Sequence, residues 1–280
     1  MESASYEALI RLSAFIASFT LLVVAERLAP RRRRAIALRS RWGGNLGLVA
    51  VDTIVLRTVP PITAVGVAAL VHARGWGFLG AIVSLPVWLD VVISVVVLDL
   101  AIYFQHRLFH AVPLLWRMHR VHHTDPELDV TTGLRFHPVE MLLSVGFKAG
   151  AVAVLGPPVA AVVLFEVLLN AGSLFSHANL RLPATVDRLL RAVLVTPDMH
   201  RVHHSADPTE TNTNFGFTLS WWDRLLGTYR GQPKSGHDAL AIGVEGFAAH
   251  AALSLYRLLI QPLLNIDGTR LTQGWFAWRG

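Results

Sequence analysis

Residues 86–110 read PVWLDVVISVVVLDLAIYFQHRLFH. From Pro86 to Phe104 the side chains are almost all apolar, with Val and Leu dominant, over a length that suits a helix crossing a bilayer. No turn signal separates this run from His106-Arg107-Leu108-Phe109-His110, so the helix extends one turn beyond its apolar part. Residues i and i+4 share a helix face, so His106 and His110 can grip one metal ion. One stretch therefore predicts a membrane span and a ligand pair at its end.

The rest of the chain repeats both features. Hydrophobic residues make up 53% of the 280 and charged ones only 16%, against about 25% charged in soluble domains. A soluble fold is excluded on that balance. Further apolar runs cover about 6–29, 46–71, 138–155 and 159–175, the last two joined by Gly156-Pro157-Pro158 as a hairpin. The run at 46–71 carries Asp52 and Arg57, which must face protein in a bilayer, and Pro60-Pro61, which would kink it. Gly75 to Phe78 reads as an interfacial turn. Arg31 to Arg34 follow the first span directly and assign that end to the cytoplasm. Counting crossings from there brings every histidine cluster to the same side. The apolar segment 248–264 contains Arg257 and Gln261, and reads as an amphipathic helix lying on the membrane.

The expected architecture is all-α: a polytopic membrane helical bundle with a cytoplasmic histidine-rich cap. It forms one membrane-embedded domain over 1–280, with N-terminal spans in 1–85, a histidine-box region in 86–230 and an amphipathic tail in 231–280. The net charge of +6 fits topology; no nucleic-acid motif accompanies it. The Ala, Leu and Arg content points to a bacterial source, hence an inner-membrane location.

The chain has no cysteine and 13 histidines, so any metal is bound by nitrogen and oxygen. Most of the histidines fall into spaced sets: His106 and His110; His119, His122 and His123; His177; and His200, His203 and His204. In His-x-x-His-His the first ring meets both the i+3 and the i+4 ring, so one short helix can serve two metals. Two such boxes, at 119–123 and 200–204, are far beyond chance. Imidazole alone leaves iron, zinc, copper and nickel open. His137, before Pro138, is a further candidate, either as a ligand, as a helix cap or as a group that orients a ligand. Asp99 falls on one helical stripe with Tyr103, His106 and His110, and Glu166 with Asn170 and His177. Asp99, Glu166, Asn170 and Asn179 are therefore candidates to orient ligand imidazoles. The competing reading of the two acids is structural pairing with Arg or a hydroxyl.

The motifs His106-Arg107-x-x-His110, His119-x-x-His122-His123-Thr124-Asp125, Arg135-Phe136-His137-Pro138, His177-Ala178-Asn179 and His200-x-x-His203-His204 resemble the fatty acid hydroxylase superfamily, which includes sterol desaturases and sterol C4-methyl oxidases. Asn214-Phe215-Gly216 and Trp222-Asp223-Arg224-Leu225-Leu226-Gly227-Thr228-Tyr229 resemble its closing signature. The resemblance implies a diiron centre of two Fe ions, with zinc as a substitute in purified protein, that uses O2 to hydroxylate or desaturate a lipid of sterol or fatty-acyl type. It departs at Arg181, where fatty-acyl 2-hydroxylases of the superfamily have a further ligand. With no cysteine and no dinucleotide-binding glycine motif, a separate electron-transfer protein is expected, docking on basic residues such as Arg120, Arg188 and Arg191. The alternative is a metal-binding membrane protein without oxidase activity, either a structural metal scaffold or a metal transporter. Transport fits poorly, since transporters set their ligands along the spans and these lie beyond them.

Overall fold

The computed structural model describes residues 2–58, 63–78, 85–247 and 253–265. Among these there is no strand, only isolated bridges. The main helices are α1 (Glu2–Leu28), α2 (Leu38–Thr58), α3 (Ala64–Ala73), α4 (Val87–Ala111), α5 (Pro113–His123), α6 (Pro138–Leu155), α7 (Val159–His177), α8 (Ala184–Arg191) and α9 (Pro197–His203), with short turns of helix after them.

Helices α1, α4, α6 and α7 are long and apolar enough to cross a membrane. Leu9, Ile16, Leu21 and Val24 of α1 and Val87, Trp88 and Val92 of α4 are exposed, a surface that only lipid satisfies. The bundle packs on a core of Ala64, Ala68, Leu98, Ile102, Val152, Val162 and Phe165 from α3, α4, α6 and α7. The chain is an integral membrane protein.

The expected second span, 46–71, is not one helix. It divides into α2 and α3, neither of which meets the criteria for crossing alone; the Pro60-Pro61 kink lies outside the described residues. The reason is in α2. Arg41, Asn45, Leu48 and Asp52 are buried and spaced i, i+4, i+7, i+11, so its inward stripe is polar where a lipid-facing span would be apolar.

The two helices nevertheless run the length of the bundle. Helix α6 ends at Gly156, in the left-handed region with φ 70°, and a Cβ on Gly77 would lie 2.4 Å from the Gly156 Cα. Only paired glycines allow that approach. The turn after α3 and the hairpin tip between α6 and α7 thus share the far end of the bundle. The near end holds the other termini: the start of α6, the end of α7 and the end of α4. The Arg run lies there too, since the Arg31 amide donates to the Asn179 carbonyl and Arg31 Nε to Asp198.

The tail also differs from expectation. Residues 248–252 lie outside the described set, and the next element is a short helix, Leu255–Ile260, packed on protein. Leu258 is buried with Leu48 and Val121. Arg120 donates to the carbonyls of Gln261 and Leu264. One side of the segment is thus packed on protein, while Tyr256 and Leu263 are exposed.

Candidate metal centre

Four helix C-termini converge at the near end. Helix α4 brings His106 and His110, α5 brings His119, His122 and His123, α7 brings His177, and α9 brings His200 and His203, with His204 as its C-cap. Both His-x-x-His-His helices open with proline at the first turn, where its missing N–H is no loss. The negative ends of the helix dipoles all point at this volume, which favours a cation.

The nine rings form two groups. His106, His110, His119, His123 and His203 make one; His122, His177, His200 and His204 make the other; in each, every ring offers one nitrogen, and these lie within 4.8 Å of one another. The boxes are shared reciprocally. Box one gives its i and i+4 rings to the first group and its i+3 ring to the second, and box two does the reverse.

Backbone and carboxylate acceptors fix the tautomers. His106 Nδ1 lies 2.7 Å from the Phe215 carbonyl, His177 Nδ1 2.7 Å from the Ser173 carbonyl, and His203 Nδ1 2.7 Å from the Thr213 carbonyl. His119 Nδ1 lies 2.6 Å from Glu140 Oε1. The three carbonyl oxygens only accept, and so does Glu140 as a carboxylate; each Nδ1 then carries the proton and each Nε2 presents a lone pair.

The Nε2 atoms then meet. His106 and His119 Nε2 are 3.1 Å apart. Both are unprotonated, so this is not a hydrogen bond but two lone pairs facing each other. His177 Nε2 lies 3.0 Å from Nε2 of both His122 and His200, and at most one of those can donate to it. Two nitrogens each about 2.1 Å from one ion would lie about 3.0 Å apart at neighbouring octahedral positions. The donor set therefore fits metal ions bound by nitrogen. Nε2 of His110 and His203, and both nitrogens of His123 and His204, are buried without a partner, as expected of atoms awaiting a metal. Burial holds the imidazoles neutral, as ligands must be: it pushes His119 down to about 3 and, reinforced by neighbouring rings, His122, His123, His200, His203 and His204 well below the usual range.

The other sequence candidates do not orient rings directly. His137 caps α6, its Nδ1 accepting from the Val139 amide and its Nε2 donating to the Leu259 carbonyl at 3.1 Å; both nitrogens are engaged outside the two groups. Asp99 accepts from Trp222 Nε1 at 2.8 Å and the Leu219 amide. Glu166 pairs with Arg11 of α1 at 2.6 Å and with Lys148. Asn170 lines a cavity beside the site. Asn179 exchanges hydrogen bonds with Arg32. Arg181 is exposed, its amide bound to the Ala29 carbonyl. Arg120 and Arg191 are buried and unsuited to docking.

What orients the rings was missed in the sequence. Glu140 carried a usable signal, being an acid inside an apolar run. The carbonyls of Thr213 and Phe215 carried none. They are presented by a loop tied at both ends: Asp223 accepts from the Phe215 and Gly216 amides, and Asn214, at φ 53°, donates to the Met199 and Arg230 carbonyls. A Cβ on Gly216 would sit 2.8 Å from Asp223 Oδ2. Asp99 and Tyr103, the latter bonded to Thr228 at 2.8 Å, hold this loop to α4.

Beneath box one lies a buried ion network. Arg41 bridges Asp125, through two 2.8 Å bonds, and Asp129. Burial would raise the Asp125 carboxyl, but Arg41 and Arg135 overcome it and hold it at about 2. Arg135 donates to the Val121 carbonyl, Thr124 and Asn45, fixing the end of α5 that carries three ligand candidates.

A family model described as fatty acid hydroxylase matches residues 91–228, which hold all nine rings. The chain belongs to the fatty acid hydroxylase superfamily. Among its relatives in that superfamily, an ornithine lipid hydroxylase from Rhizobium tropici is 31% identical over 60% of this chain and 50% of its own. An alkylglycerol monooxygenase from Xenopus tropicalis is 28% identical over 66% and 41%, and a cholesterol 25-hydroxylase from Rattus norvegicus 29% identical over 52% and 48%. The chain thus spans half or less of the length of these relatives. No solved structure matches it.

Proposed function

We propose that this chain is an O2-dependent lipid hydroxylase built on two iron ions, one in each histidine group. The observation that carries the reading is the set of inward Nε2 atoms crowded at 3.0–3.1 Å, which a cation between them would relieve. The iron would supply the redox chemistry: with two electrons and two protons from outside, O2 and a C–H give an alcohol and water. The chain's own residues hold the rings, keep them neutral and exclude water. Phe136 lies against His122 at 4.7 Å between centroids, and Phe109 and Phe217 wall the cavity that reaches His106 and His119.

The relatives' names support hydroxylation of lipids over desaturation. The Arg run supports a site facing the cytoplasm. We further propose that 1–280 acts as one unit, since residues 253–265 pack on α2 and α5 of the near end.

The test is growth or turnover under labelled O2 with mass spectrometry of membrane lipids, alongside iron content. The expected result is labelled oxygen in a lipid and two iron per chain, with label lost in His122→Ala and His203→Ala. Two metals without label would favour the structural scaffold.

A further inference from the structure

A cavity of about 250 Å3 opens from His106 and His119 between α2, α4, α6 and α7. It exceeds the roughly 150 Å3 that holds a benzene-sized molecule, so it can take the reacting part of a lipid. Most of its wall is apolar, but three buried oxygens in it have no partner: Asp52 Oδ1, Gln105 Oε1 and Glu140 Oε2. Asp52 is 6%, Gln105 8% and Glu140 2% exposed.

Each is short of a donor for a different reason. Glu140 commits its other oxygen to His119. Gln105 gives one amide N–H to Ser144 at 2.5 Å, and its Oε1 is left without a partner. Asp52 shares the cavity with Glu140, a second carboxyl, and its Oδ1 has no partner. Lys148 also lines the cavity, but its ammonium is turned to Glu166 at 3.7 Å. Buried oxygens without a partner are costly, and a polar ligand group that bonds to them would be favoured. A bare hydrocarbon chain would leave all three unpaired.

We propose that Asp52 and Gln105 hold an N–H or O–H group of the substrate, an amine or a hydroxyl, a few bonds from the carbon that is oxidised. This rests on the reading of the chain as a lipid hydroxylase and names its substrate class. The short separation comes from geometry, because the acceptors and the two metal-facing rings share one small cavity. Gln105 is the residue next to His106 in sequence. Asp52 comes from α2, outside the residues matched by the family model.

The test uses the full-length, iron-loaded protein in lipid nanodiscs with three probes of equal chain length: dodecylamine, dodecanol and methyl dodecyl ether. Binding is read by thermal shift and tryptophan fluorescence. The amine or the alcohol should bind about tenfold or more tightly than the ether, and Asp52→Leu with Gln105→Leu should erase that gap. Leu removes the unpaired acceptors, so the variant should fold; iron content and circular dichroism check this. Asp52→Asn separates the two sources: it should abolish an amine preference and spare an alcohol preference. An ether that binds as tightly as both the amine and the alcohol, or a gap that survives the double substitution, overturns the proposal. If wild-type protein incorporates labelled oxygen yet shows no donor preference, the hydroxylase reading stands and this one falls. A donor preference without incorporation leaves the binding role of Asp52 and Gln105 standing and removes the hydroxylase reading.

Discussion

Glu140 does at the residue scale what the helix-borne Asp99 and Glu166 were expected to do. Its carboxylate sets the His119 tautomer, so Glu140→Gln should weaken first-group metal binding and turnover about 10–100-fold while leaving the fold intact, as measured by iron titration and product rate. A spacing argument found the wrong acids because a helical stripe says which side chains share a face, not how far each reaches. Asp99 is on the right stripe but meets the Trp222 indole first. His137 shows the same limit: His-Pro reads as a cap or a ligand, and only the position of the Leu259 carbonyl decides. Arg41 was legible only as one member of a basic run, yet it is fully buried against Asp125 and Asp129. Arg41→Met should strand those two carboxylates and cost about 3–5 kcal/mol, seen as a lowered melting temperature and reduced iron retention.

Among elements, the two His-x-x-His-His helices were readable as helices and as ligand carriers, but not as partners. Sequence spacing alone assigns a box to one metal or divides it between two. Each box here sends its i and i+4 rings one way and its i+3 ring the other, because α5 and α9 present facing C-terminal turns. His123 and His204, one from each group, stack at 4.5 Å where the boxes meet. This predicts which losses belong together. His119→Ala with His203→Ala removes two rings from one group and should leave about one metal bound. His119→Ala with His200→Ala takes one from each and should weaken both. Iron content of the two double variants checks the pairing, and equal occupancies would contradict it. The closing signature was recognisable as a pattern. Its role is that of a tied-down loop presenting two carbonyls to His106 and His203; the contact with His203 is local, but those with His106 and Asp99 span more than a hundred residues.

At the scale of the whole molecule, the near end carries the Arg run and the site and the far end carries Trp76 and the hairpin tip. Single cysteines at Arg33, Thr209 and Trp76 in this cysteine-free chain should label from one side, the same side and the opposite side. The apolar spans made that layout legible, including the crossing read at 46–71, which the structure builds from two helices instead of one. The same layout concentrates nine buried imidazoles at one end, with a consequence for acid stability before metal is bound. Burial depresses the six that lie outside the spans, His119 to about 3 and the others in the same direction. In the unfolded chain they titrate near 6.5. Below that pH the unfolded state binds more protons than the folded one, so stability falls as pH falls, by about 1.4 kcal/mol per pH unit for each group. Six groups acting together would approach the usual total of about 5–15 kcal/mol within one or two units. Metal-free protein should therefore lose amide protection in α5 and α9 between about pH 6.5 and 5, with the lipid-facing spans unchanged. Bound iron holds the rings unprotonated and should shift that loss to lower pH. Hydrogen exchange with and without iron measures both; protection of the metal-free cap that stays flat from pH 7 to 5 would show that the rings are not held neutral by burial.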